Sequence, residues 1–181
     1  LYYFPDFYQL AVQALDQAAH CWATERAATA ASLPDPVQRV AAMVTMEIPD
    51  ELPGMALAFC EIPGQLRDHP ELAIPLTFLI EDQVAVLTSA IADGVDSGAF
   101  LPIADLDRLA RTSVALLHAC INYQACAVQT AAQGRALVFA HLEGALGCTL
   151  SVSSSTASAT GRSHRRAGAD RPGGGLFAEP V

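Results

Sequence analysis

A length of 181 residues with 52% hydrophobic and 16% charged side chains is typical of one globular domain with a substantial core. The formal charge is −9, and residues 1–150 hold six arginines against 17 aspartates and glutamates. This balance argues against nucleic acid binding by that part alone, because phosphate neutralisation requires clustered cations. Charged residues interrupt the apolar stretches before the ~18 residues needed to cross a bilayer, and no basic-then-apolar leader is present. We therefore expect a soluble, cytoplasmic protein with no membrane partner.

The first two predicted helices are bounded by prolines and aspartates. Apolar residues at three- and four-residue intervals predict one long helix from about residue 6 to 31, with Asp6 as its N-cap. Asp35 and Pro36 fit the cap and the first helical position of a second helix. We expect this shorter helix to end near Pro49.

The next two helices contain prolines and glycines. One helical stretch begins near Pro53, and we expect a break or kink around residues 61–64, since an internal proline removes a backbone hydrogen bond. Pro70 lies where a further long helix opens, and Gly94 and Gly98 are its predicted terminators.

Two strongly apolar helices close the predicted domain. Asp105 is the expected cap of the first, and the second is predicted to begin after Gly134. No strand alternation is found over residues 6–148. The predicted fold class is therefore all-α, with about six helices.

The last two helices are apolar on so many sides that we expect them to be covered from more than one direction. The simplest cover is a second copy of the chain, because two-fold dimers are the commonest oligomers. The predicted homodimer interface consists of Leu116, Cys120, Tyr123, Leu137, His141, Leu142 and Ala145.

A change in composition follows at about residue 149. Residues 149–181 are rich in Ser, Thr, Ala, Gly and Arg and hold few large apolar side chains. Such a segment cannot offset its ordering entropy by burial. We therefore predict a disordered, low-complexity tail.

The sequence carries no recognisable catalytic or metal-binding motif. It lacks a glycine-rich phosphate loop, Gly-x-Ser-x-Gly, Cys-x-x-Cys and His-Glu-x-x-His. The five histidines are scattered, and the five cysteines, odd in number and set among apolar residues, suit buried thiols better than disulfides. We therefore expect no enzymatic activity, no cofactor and no metal site.

Aromatic and polar residues at helix positions that are otherwise apolar are candidates for a small-molecule pocket. The candidate ligand-binding residues are Trp22, Met55, Phe59, Phe78, Asp82, Leu117, His118 and Asn122, with Glu25, Glu81 and Tyr123 as further candidates. An ordinary core, in which His118 and Asn122 are satisfied by the backbone or by a dimer partner, explains these residues equally well.

The opening stretch LYYFPDFYQL resembles the end of the recognition helix and the following turn in the TetR family of one-component transcriptional repressors. It has an aromatic pair, then Phe4, Pro5 and the capping Asp6, followed by a long helix. The segment IADGVDSGAFLPIADLDRLARTSVALLHAC also resembles the body of that family, where a helix ends in Gly, an aromatic and a Pro follow, and the next helix opens after an Asp. The resemblance implies an antiparallel helical bundle over residues 6–148 whose last two helices dimerise.

The resemblance also implies a role in transcription. Tyr2 and Tyr3 match the aromatic pair that approaches DNA, and residues 1–5 match the end of the recognition helix, although Phe7 stands where the family often has a basic residue. The earlier helices of the helix-turn-helix head are expected to lie outside this sequence. The implied function is the regulatory part of a repressor that senses a small hydrophobic inducer, dimerises, and binds operator DNA only with its head. The alternative is a helical dimerisation module with no ligand or DNA role.

Overall fold

The computed structural model describes residues 7–150 and is all-helical in this part of the chain. Its helices are α1 (Phe7–Ser32), α2 (Pro36–Glu47), α3 (Gly54–Gln65), α4 (Ala73–Asp96), α5 (Leu106–Ala125) and α6 (Ala131–Leu146), with a 3-10 turn at Pro70–Leu72. No strand occurs within residues 7–150, so the predicted all-α fold class is confirmed. Tyr2, Tyr3 and Asp6 lie outside the described residues, as does the predicted tail from residue 151 onward.

Aspartate side chains cap two of the helices as the sequence predicted. The Asp35 carboxylate accepts a hydrogen bond from the Val37 backbone N–H at 3.0 Å. The Asp105 carboxylate accepts one from the Arg108 backbone N–H, also at 3.0 Å. Each bond satisfies a donor that the first turn of a helix leaves free, which fixes where α2 and α5 begin.

The start of α6 was predicted four residues too late, after Gly134. The helix begins at Ala131 because Thr130 and Gln133 form a capping box, in which the Gln133 side chain accepts from the Thr130 N–H at 2.8 Å. Gly134, the predicted boundary, is buried inside the first turn.

Of the break or kink predicted around residues 61–64, the break does not occur, since α3 continues through Pro63 to Gln65. The proline removes one backbone hydrogen bond within the last turn, and the helix ends two residues later, so little helix remains to be disrupted. The long helix expected to open at Pro70 begins at Ala73 instead, after a 3-10 turn at Pro70–Leu72.

Of the two glycines predicted to end α4, only Gly98 does so. It follows the helix with a φ of +76°, which favours glycine. Gly94 is buried within α4, where the ring of Phe100 occupies the space that a Cβ atom would need. Gly94 therefore lets the chain after α4 pack closely against the helix, and it does not end the helix.

The core consists of two clusters that both include residues of α4. The larger one joins α2, α4, α5 and α6 and contains Val44, Ile91, Val114 and Leu142. The smaller one joins α1, α3, the 3-10 turn and the start of α4 and contains Leu15, Ala19, Phe59, Leu72 and Leu79. Apolar burial within each cluster is the main favourable contribution to the stability of the domain.

The packed domain extends two residues beyond the boundary predicted at residue 148. Leu150 is buried in the larger cluster. Its backbone N–H donates a hydrogen bond to Glu143 Oε1 at 2.8 Å. Residues 149 and 150 therefore belong to the folded part of the chain rather than to the tail.

One helical stretch, Pro70–Asp96, is long and apolar enough to cross a membrane by length and composition alone. Core helices meet the same criterion. This stretch packs along α1, α2 and α5, and its apolar side chains contribute to both core clusters.

The cysteines are less uniformly buried than the sequence suggested. All five lie within the described part of the chain and are free thiols. Cys120 is buried, Cys60 and Cys148 are half-buried, and Cys21 and Cys126 are exposed.

Candidate functional site

A cavity of about 410 Å³ borders the smaller core cluster, and Ile121, which packs against the larger cluster, also lines it. Its wall is built from α1 to α5 and from the segment that connects α2 to α3. It is lined by Trp22, Glu25, Arg26, Met46, Glu47, Pro49, Glu51, Pro53, Ala56, Phe59, Cys60, Pro63, Leu76, Leu79, Gln83, His118, Ile121 and Asn122. Its size and its mainly apolar wall are typical of small-molecule sites.

Helical spacing explains how each element contributes to the wall. On α1 the lining residues Trp22, Glu25 and Arg26 are three and four positions apart, and on α5 the lining residues His118, Ile121 and Asn122 have the same spacing. Residues at these intervals lie on one face of a helix. The cavity is therefore bounded by whole helix faces rather than by loops alone.

Two aromatic side chains form the part of the wall between α1 and α3. The rings of Trp22 and Phe59 have their centroids 5.4 Å apart and are tilted by 44°. Aromatic rings at this separation pack favourably and present broad apolar surfaces. This side of the cavity suits the apolar body of a ligand.

A buried arginine organises the polar side of the cavity. Arg26 is only 2% exposed, and its Nη1 donates to Glu47 Oε1 at 3.0 Å while its Nε donates to Asp82 Oδ2 at 2.8 Å. The bonds join α1 to α2 and α4. Because a buried guanidinium requires charged partners, this arrangement fixes the position of α1 against both helices.

The second terminal nitrogen of Arg26 is less well satisfied. Nη2 lies 2.7 Å from Asp82 Oδ2, within ion-pair distance. The bond is poorly aligned, and Nη2 has no hydrogen-bond partner of acceptable geometry among residues 7–150. The aligned bond to Asp82 is the one made by Nε.

The polar chain continues from Glu47 to α5. Gln83 Nε2 donates to Glu47 Oε2 at 2.6 Å, and His118 Nε2 lies 2.7 Å from Gln83 Oε1. Since the Gln83 amide nitrogen already donates to the carboxylate, its oxygen accepts, and His118 must donate from Nε2. In the neutral imidazole the other nitrogen, Nδ1, then carries a lone pair and can accept a hydrogen bond.

His118 is held in this neutral form by its surroundings. Burial lowers the pKa of His118 below its ordinary value, and the nearby Arg26 guanidinium lowers it further. Asn122, one turn later, donates its amide N–H to the His118 carbonyl oxygen at 2.8 Å.

The structure brings together some of the predicted pocket residues. Trp22, Phe59, His118 and Asn122, together with the further candidate Glu25, line the cavity. Met55, Phe78, Asp82, Leu117, Glu81 and Tyr123 do not line it. Asp82 lies behind Arg26 as its partner, Leu117 is in the larger core cluster, and Phe78 stacks on His20 with ring centroids 4.1 Å apart.

Sequence reasoning missed the residues that connect the polar groups. Arg26, Glu47 and Gln83 are 21 to 57 positions apart, and no local motif joins them. The available signal was the position of Arg26 on the same helix face as Trp22, where a charged side chain must find buried partners.

The predicted dimer residues fall into two groups. Tyr123 and Leu137 are 54% and 53% exposed, large apolar surfaces on α5 and α6. Leu116, His141 and Ala145 are half-buried. Cys120 and Leu142 are 1% and 0% exposed in the larger core cluster of the single chain, so they have almost no surface to offer to a partner.

No protein-family model, curated protein or solved structure matches this chain in the three comparisons made. Within residues 7–150, no group of three or more His, Cys, Asp or Glu side chains is placed to hold a metal ion.

Replacing Arg26 with Met is expected to reduce the free energy of unfolding by about 3 kcal/mol or more, because Glu47 and Asp82 lose their buried counter-charge. Urea denaturation measures this loss. Arg111→Met is the matched control, since Arg111 also bridges two carboxylates, Glu81 and Asp107, but at the surface. Its effect should be far smaller. Equal losses for the two variants would contradict the assigned role of Arg26.

The lowered pKa of His118 predicts a stability that depends on pH. Below its ordinary pKa the unfolded chain takes up a proton more readily than the folded chain, so His118 makes the domain less stable as the pH falls. Between about pH 7.5 and about pH 5.5, the wild type should lose more stability than His118→Gln. Urea denaturation at both pH values measures the difference, and identical losses in the two proteins would show that the prediction is wrong.

Proposed function

We propose that this chain is the regulatory part of a TetR-like DNA-binding transcriptional repressor, a cytoplasmic protein that binds a small ligand and dimerises. The single observation that carries the proposal is the cavity of about 410 Å³, whose wall includes Trp22 and Arg26 of α1. α1 follows directly on the LYYFPD stretch that resembles the end of a recognition helix. A ligand in this cavity contacts α1 and can therefore change the position of the helix that joins the proposed DNA-binding head.

The polar chain supplies the coupling that such a repressor requires. Arg26 connects α1 to Glu47, Glu47 connects to Gln83, and Gln83 connects to His118 on the cavity wall. A ligand that bonds to His118 competes with or strengthens these bonds and so changes the preferred position of α1. Regulation then needs only a different ligand affinity in the two positions of α1.

Dimerisation is supported by exposed apolar surface on the last two helices. Tyr123 on α5 and Leu137 on α6 are each more than half exposed, and Val128, which follows α5, is 70% exposed. The Val128 backbone N–H donates to the Tyr123 carbonyl at 2.8 Å, which brings two of these residues together, and large apolar side chains left in water are available to a partner. A second copy of the chain is the occupant that we propose.

Leu137→Asp is expected to shift the protein from dimer to monomer, because it places a charge in the proposed interface. Sedimentation velocity measures the oligomeric state, and circular dichroism checks that the helical content is unchanged. Ile74→Asp is the matched control, since Ile74 is 64% exposed on α4. A monomeric wild type, or equal disruption by both variants, would contradict the proposed interface.

The DNA-binding part of the proposal is tested on the longest natural gene product that contains this chain. We expect salt-dependent, sequence-preferring binding to DNA from its own promoter region, since phosphate contacts release counterions. Fluorescence anisotropy measures this binding. Residues 1–150 alone should not bind, given their six arginines against 17 acidic residues. A dimer that shows no preference for any DNA would instead support the helical dimerisation module.

A further inference from the structure

The hydrogen-bonding groups at the polar side of the cavity are mostly acceptors. Gln83 fixes His118 as the Nε2–H tautomer, which leaves Nδ1 as an acceptor. The Asn122 amide donates one N–H to the His118 carbonyl, which leaves its oxygen as an acceptor and its second N–H as a donor. Within residues 7–150, neither of these two acceptors has a partner. A ligand that satisfies both must donate hydrogen bonds.

The charges around the cavity favour a positive ligand. Three carboxylates, Glu25, Glu47 and Glu51, line it against the single guanidinium of Arg26. That guanidinium already has two carboxylate partners, Glu47 and Asp82. Counting Asp82, four carboxylates stand against this one guanidinium, whose Nη2 is its only group without a hydrogen-bond partner within residues 7–150. On balance a cation is attracted and an anion repelled.

The carboxylates differ in their availability. Both oxygens of Glu47 are used, one by Arg26 and one by Gln83. Glu25 and Glu51 are exposed, and their carboxylates make no ion pair or hydrogen bond with other residues in the described part of the chain. These two side chains can turn toward a bound cation without any loss to the fold.

The part of the wall formed by Trp22 and Phe59 suits an apolar or aromatic body. Trp22 and Phe59 lie side by side there, and the indole ring is the best partner for a cation close to its face. The cavity thus combines an aromatic wall with an acceptor-rich acidic side. This combination is complementary to a molecule with an apolar body and a protonated nitrogen.

We propose that the cavity binds a hydrophobic amine, protonated at neutral pH and carrying at least one N–H group that donates to His118 Nδ1. The inference rests on the proposed ligand-binding function and specifies its ligand class. The N–H group satisfies the acceptor that the polar chain creates. The repulsion from Arg26 that a positive charge meets beside His118 is offset by the carboxylates of Glu25 and Glu51, which line the same cavity.

The test uses four probes with one apolar body and different head groups: phenylbutylamine, its trimethylammonium derivative, phenylbutanol and phenylbutyrate. Trp22 is the only tryptophan in the chain and lines the cavity, so its fluorescence reports binding at this site. We expect the amine to bind about tenfold more tightly than the alcohol or the carboxylate, and the trimethylammonium derivative, which cannot donate, to fall between.

Charge variants distinguish an effect on amine binding from a general effect of the substitutions on the protein. The double variant Glu25→Gln, Glu51→Gln should weaken amine binding several-fold and leave the affinity for the alcohol unchanged. Asp96→Asn is the matched control, since it removes a negative charge from an exposed residue that does not line the cavity. It should change neither affinity.

The possible results distinguish this proposal from the proposed function. Alcohol or carboxylate binding as tight as amine binding would overturn the ligand class while leaving a ligand-binding cavity. A change in amine affinity with Asp96→Asn as large as with the double variant would also overturn it. No response of Trp22 to any of the four probes would contradict both the ligand class and the ligand-sensing function.

Discussion

The arrangement of this domain depends on one constraint, the burial of the Arg26 guanidinium. Its charge cannot remain in the interior without counter-charges, and Glu47 and Asp82 supply them from two other helices. The position of α1 is therefore set by electrostatics as well as by apolar packing. The same constraint fixes Glu47, which orients Gln83, which in turn determines the tautomer of His118. One buried charge thus defines the hydrogen-bonding character of the cavity.

The cavity is related to the two core clusters of the domain. The larger cluster is formed by α2, α4, α5 and α6, and the smaller one by α1, α3 and the start of α4. Arg26, Glu47, Gln83 and His118 form a hydrogen-bonded chain along the cavity wall, so these buried polar groups are satisfied there. The short helix α3, with Phe59 and Pro63 on the cavity wall, forms one side. The cavity that has space for a ligand therefore also borders α1.

Much of this fold could be predicted from the sequence, because its information is local. Apolar spacing identified all six helices, and Asp35 and Asp105 marked two starts through their capping side chains. The predictions were wrong where a contact between distant parts of the fold determines the residue. Gly94, for example, does not end α4 but leaves room for the ring of Phe100. Trp22, Phe59, His118 and Asn122 could be assigned to a pocket because they interrupt apolar faces. The bonds that connect Arg26, Glu47 and Gln83 could not, since their partners are distant in sequence.

The buried polar chain holds His118 as the neutral Nε2–H tautomer with a free acceptor at Nδ1. Nitrogen NMR of the histidine rings tests it most directly, with His118→Gln identifying the signals of His118. At neutral pH we expect a protonated Nε2 and an unprotonated Nδ1. A protonated Nδ1, either in the other tautomer or in an imidazolium, would show that His118 has no free acceptor there.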